Sequence, residues 1–123
     1  MLKNVQQLAE DARKEVPEVQ VGDVRQDVDK GSTLPYLLID VREPAEHAAG
    51  VIPGAMPIPR GVLEMNIPKL TQDENQPIVC YCGGGVRSLF AAQQLKKMGF
   101  TAVKSMAGGF GAWAKGGNPV VKP

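Results

Sequence analysis

The sequence predicts an α/β domain built around a mostly parallel sheet, and three observations carry that expectation. Tyr36 to Ile39 and Ile78 to Cys82 are unbroken apolar runs, as in strands covered on both faces. Helical periodicity alternates with such strand-like runs, most clearly over Arg87–Met98, where Ala91, Leu95 and Met98 fall at i, i+4 and i+7. The second run ends on Cys82 and passes through Gly83, Gly84 and Gly85 straight into that helix. This is the carboxyl end of a strand, where open α/β sheets bind ligands.

Taken in order, the chain opens with a helix over about 4–16. Asn4 and Gln7 have capping-box spacing, and Val5, Leu8, Ala9, Ala12 and Val16 form one apolar stripe expected to pack on the sheet. Pro17 ends it. Val19–Val21 reads as a short strand, and Gly22–Gly31 as a polar, weakly helical connection. The run from Tyr36 closes on Asp40, placed to accept backbone N–H bonds, with Arg42 expected to pair with a nearby acid. Pro44 suits the first turn of a short helix through Glu46, His47 and Ala49. His47, the single histidine, has no evident partner in the sequence and is expected on the solvated surface.

Gly50–Ala55 is a turn-rich link into Met56–Pro59, whose prolines suit an edge strand. Arg60, expected at the surface, precedes a helical fragment over Val62–Ile67 that Pro68 closes. After polar Thr71–Gln76 comes the central strand, then the helix of Arg87–Met98 with Gly99 as its stop. Ala102–Ser105 reads as the last strand, Phe110–Lys115 as the last helix with Trp113 on it, and Asn118–Pro123 as an irregular tail.

Cys82 is the candidate nucleophile. Three glycines between strand and helix add nothing to a core, but they let the loop curl around a sulfur atom. Backbone N–H groups in that curl, those of the helix's first turn and Arg87 would favour a thiolate and hold an anion against it. Cys80 lies two residues earlier on the same face of the strand and is expected to be a packed core residue. A resolving or relay thiol is the alternative.

Composition bounds the function. The 123 residues fit one domain, and 43% hydrophobic with 22% charged residues is ordinary for a globular chain. A net charge of +1 gives no electrostatic case for nucleic acid or membrane partners. No apolar stretch approaches a membrane span, and Met1–Glu15 is too polar for a signal sequence. Two cysteines spaced by one residue make no disulfide framework, so a reducing cytoplasm is expected. One histidine and two cysteines argue against a metal site, and no cofactor is expected.

Four stretches together resemble the single-domain rhodanese (sulfurtransferase) family. They are Asp40–His47, Gly50–Ala55 (with Val51 where histidine is usual), the loop Cys82–Ser88, and Met106–Trp113. The resemblance implies one rhodanese domain over 1–123 with a five-stranded, mainly parallel sheet flanked by helices on both faces. It implies that Cys82 takes sulfur from a thiosulfate-like anion as a persulfide and yields it to cyanide or a thiol, a protein acceptor included. Gly83, Gly84, Gly85, Val86, Arg87 and Ser88 would bind the substrate through their N–H groups. Arg87 has two readings, one facing the anion and one bracing the loop through Asp40 or Glu46.

Two rival functions remain in view. One is a sulfur-carrying module that serves a protein partner. The other is a phosphatase, disfavoured because four residues separate Cys82 from Arg87 where the phosphatases of this fold have one more.

Overall fold

The computed structural model describes residues 1–123. Five strands, β1 (Glu18–Val19), β2 (Leu37–Asp40), β3 (Met56–Pro57), β4 (Ile78–Tyr81) and β5 (Val103–Met106), form one sheet in the order β1-β5-β4-β2-β3. Every neighbouring pair is parallel. The helices are α1 (Val5–Glu15), α2 (Val21–Asp29), α3 (Pro44–Ala49), α4 (Leu63–Asn66), α5 (Arg87–Met98) and α6 (Gly109–Lys115). Short 3₁₀ turns over Arg60–Val62 and Ile67–Lys69 flank α4. None of these helices is long and apolar enough to cross a membrane.

The central strands are apolar throughout because both faces are covered. Ile39, Ile78, Cys80 and Val103 pack with Leu63 and Ile67 and with Ala91, Ala92 and Leu95 of α5. Leu38, Val79, Tyr81 and Met106 pack on the other face with Val24 of α2 and Trp113 of α6. Alternate residues of one strand thus feed two separate cores, as a pleat of period two requires.

Connections leave β2 and β4 in opposite directions, through α3 to β3 on one side and through α5 to β5 on the other. The carboxyl ends of β2 and β4 therefore flank the crevice where such a sheet binds ligands. Asp40 and Tyr81 stand there as directly paired positions, and Cys82 follows at once.

Four details differ from the sequence reading. The α1 stripe packs mainly on α5: Ala9 and Ala12 are buried with Leu89, Val16 alone joins the core cluster of Ile39, Ile78 and Val103, and Val5 and Leu8 stay exposed. Ala9 and Ala12 are small enough for the two helices to approach closely, while Val5 and Leu8 fall outside the contact. Gly22–Gly31 is mostly helix, and Val21 begins it rather than ending the strand, because Asp23 accepts the Gln20 N–H at the start of α2. Pro68 lies inside a 3₁₀ turn, where its missing N–H costs no helical bond. The tail is not wholly irregular, since Val121 exchanges two backbone hydrogen bonds with Val51.

Candidate active site

Cys82 leaves β4 at the bottom of a glycine loop, and its side chain is 1% exposed. Its Sγ accepts N–H bonds from Gly85 at 3.1 Å and Ser88 at 3.3 Å, and lies 3.4 Å from Ser88 Oγ. Gly85 reaches the sulfur through a left-handed backbone, φ 99°, and an added Cβ there would sit 3.1 Å from the Gly108 nitrogen. No residue with a side chain fits that turn without strain. The N–H groups of Gly83, Gly84 and Val86 bond to no other atom of the chain.

The start of α6 holds the loop from behind. Phe110 N–H donates to the Cys82 carbonyl at 2.7 Å and Gly111 N–H to the Gly83 carbonyl at 2.9 Å. A peptide whose carbonyl is tied outward offers its N–H edge to the other side. Gly109 permits this approach, because a Cβ there would come within 2.5 Å of the Cys82 oxygen.

Arg87 does not stand free at the pocket. Its Nη1 and Nη2 donate to Glu46 Oε1 and Oε2 at 2.8 and 3.1 Å, which ties the first residue of α5 to α3. That hydrogen bond holds the Glu46 carboxyl below the usual carboxylate range. The guanidinium also lies against Gly83, 3.1 Å from where a Cβ would be.

Below the loop sits a buried polar cluster centred on Asp40. Arg42 donates to both carboxylate oxygens and to the Gly50 carbonyl, and Tyr81 Oη donates to Asp40 Oδ2 at 3.0 Å. Arg42 also lies over the Phe110 ring, 4.1 Å from its centroid. Burial works against the Asp40 charge, but the hydrogen bonds from Arg42 and His47 outweigh it and keep the carboxyl below its ordinary range. Asp40 also accepts the Arg42 backbone N–H at 3.0 Å, so the expected roles of Asp40 and Arg42 both hold.

His47 is a correction. It is not a solvated surface residue: its Nδ1 lies 2.9 Å from Asp40 Oδ2 and its side chain is 12% exposed. The seven-residue separation crosses a strand end and a helix start, so no periodicity in the sequence points to the pair. Arg60 pairs with Glu64 and stays partly exposed. Cys80 is fully buried, and burial first, then the neighbouring Cys82, pushes its thiol up to about 12. Cys80 is packed in the core, as expected.

One buried polar contact escaped the sequence reading altogether. Ser105 of β5 donates through Oγ to Ser88 Oγ at 2.8 Å, and both serines are fully buried. The available signal is that Ser105 shares the core-facing side of its strand with Val103, a position where a hydroxyl needs a reason.

A rhodanese-like domain model matches residues 20–116. A sulfurtransferase of Allochromatium vinosum is 38% identical over 91 residues, covering 74% of this chain and 83% of that protein. Among solved structures, RPA3614 of Rhodopseudomonas palustris CGA009, described as a possible tyrosine phosphatase, superposes with TM-score 0.88 at 29% identity. That match covers 98% of this chain and 96% of the other. The human single-domain sulfurtransferase TSTD1 gives TM-score 0.69 at 28% identity over 81% of this chain and 96% of its own.

Proposed function

The chain belongs to the rhodanese-like family, and on that premise we propose that residues 1–123 act as one domain that carries sulfane sulfur on Cys82. The observation behind this is the convergence of the Gly85 and Ser88 N–H groups on Cys82 Sγ. Donors fixed around one sulfur atom stabilise a thiolate, and they meet the same atom again as a leaving group. Cys82 held as a thiolate attacks the outer sulfur of a thiosulfate-like anion. A new S–S bond forms, the old one breaks, and sulfite departs with the electron pair. A thiol or cyanide then attacks the outer sulfur of the persulfide and returns Cys82 to the thiolate. The free N–H groups of Gly83, Gly84 and Val86 supply donors for the anion and for the outer sulfur. Arg87, held by Glu46, keeps the loop closed on α3. The chemistry needs a reduced Cys82 and so suits a reducing compartment such as the cytoplasm.

The likeness to RPA3614 raises phosphate transfer as the rival. The loop cation nearest Cys82 is already neutralised by Glu46, whereas a transferring phosphoryl group needs positive charge at its equatorial oxygens. Mass spectrometry decides between them. Thiosulfate should raise the protein mass by about 32 Da, one sulfur covalently held, and cyanide should remove it. Turnover of an aryl phosphate without that adduct would overturn the proposal. A protein thiol as acceptor fits the same chemistry and would show as loss of the adduct to that partner.

A further inference from the structure

We propose that Ser105 is a positioning residue that aims the Ser88 hydroxyl at Cys82. The two serines and the cysteine form a line from the core to the loop. Ser105 Oγ donates to Ser88 Oγ at 2.8 Å, and Ser88 Oγ lies 3.4 Å from Cys82 Sγ. All three side chains are at most 1% exposed, so water does not compete for these contacts.

The direction of the line follows from the chemistry of a hydroxyl. Ser88 Oγ has one proton to give and room to accept. With the Ser105 proton on its lone pair, its own proton is left to donate, and the sulfur is the acceptor beside it. When Cys82 is a thiolate, Ser88 therefore adds a third donor to the N–H groups of Gly85 and Ser88 itself. Ser105 never touches the sulfur. It sits on β5 opposite Cys80, under the start of α5, and acts through Ser88 alone. A hydroxyl at this core-facing position costs desolvation that an alanine would avoid, which a purely apolar packing role leaves unexplained.

The line serves the step in which the acceptor attacks the outer sulfur. The Cys82–sulfur bond breaks there, its electron pair returns to Sγ, and the Ser88 proton faces the charge that appears. This use rests on the sulfurtransferase reading above, but the geometry has a readout that does not.

That readout is the rate at which iodoacetamide alkylates Cys82, followed by site-resolved mass spectrometry across a pH series. Near neutral pH, Ser88→Ala should slow alkylation about tenfold and Ser105→Ala about threefold, as expected for losing or misaiming one hydrogen bond to a charged acceptor. Ser105→Thr, which keeps the donor, should restore most of the neutral rate. In a Ser88→Ala background, Ser105→Ala should have no further effect. A Ser105→Ala profile that superposes on the parent, whatever its thermal midpoint, would make the serine pair a structural filler and overturn the proposal. So would a Ser105→Ala effect of equal size in both backgrounds. If the alkylation profiles behave as expected but thiosulfate leaves no adduct, the sulfurtransferase reading fails and the hydrogen-bond line stands.

Discussion

Arg87 and Glu46 meet side-on, with the two guanidinium–carboxylate distances at 2.8 and 3.1 Å. The pair joins α5 to α3 across the mouth of the loop. Glu46 shares its helix with His47, which is itself anchored on buried Asp40. The helix α3 is thus fastened twice, once to the loop and once to the end of β2.

The first prediction follows from that pairing. Arg87→Ala and Glu46→Gln should both lower kcat for thiosulfate while changing KM little, because the guanidinium already has its carboxylate. Both side chains are about two-fifths exposed, 39% and 40%, so solvent screens the pair. The coupling in a double-mutant cycle of stability should stay below about 1 kcal/mol. A raised KM in Arg87→Ala with kcat and stability unchanged would instead place Arg87 on the donor anion.

The two cysteines should separate cleanly. Cys82→Ser should abolish sulfur transfer and persulfide formation while leaving the protein folded. Cys80→Ala should keep most activity and cost roughly 1–2 kcal/mol, since it removes one buried sulfur from a close-packed layer. Thiosulfate assays beside urea unfolding test both. An active Cys82→Ser protein would contradict the assignment of the nucleophile.

The sheet and the loop were legible because each leaves a local mark. Unbroken apolar runs mark strands covered on both faces, and a cysteine followed by glycines marks a strand-to-helix turn. The structure places Leu37–Asp40, Ile78–Tyr81 and Arg87–Met98 where those marks lie. What stayed hidden was long-range pairing. The contact of His47 with Asp40 and that of Ser105 with Ser88 depend on how elements meet in space, and neither pair lies within one helix or strand, so no period links its members. Val5 and Leu8 misled for a related reason: an amphipathic stripe shows that a helix has an apolar face but not what covers it.

Asp40 sets the behaviour in acid. Its carboxyl is depressed in the native state and titrates near 3.9 when unfolded. The native state then binds fewer protons, so the stabilisation is fully present above the unfolded value and is lost as pH falls through the native one. Glu46 contributes with the same sign. Urea midpoints should therefore hold steady near neutrality and fall below about pH 4. Asp40→Asn should flatten that acid limb and cost about 3–5 kcal/mol at neutral pH, because it strands the buried Arg42 guanidinium. A full acid limb retained in Asp40→Asn would show that other carboxylates carry it.

Two glycines give opposite expectations for the same substitution. Gly109 has a left-handed backbone, φ 59°, and an added Cβ would lie 2.5 Å from the Cys82 oxygen and 2.7 Å from Gly83 carbonyl atoms. Those are the carbonyls that α6 holds outward, so relieving the clash must push the loop away from the helix. Gly109→Ala should lose about 2–4 kcal/mol, from left-handed strain together with overpacking. It should also lose most sulfur transfer, because the donors around Cys82 move with the loop. Gly22 is the second residue of α2, and a Cβ there meets nothing within 4 Å. Gly22→Ala should therefore add roughly 0.5–1 kcal/mol by restricting the unfolded chain, with activity unchanged. Thermal unfolding and thiosulfate turnover of both variants give the comparison. A Gly109→Ala protein as stable and active as the parent would mean that α6 does not hold the loop.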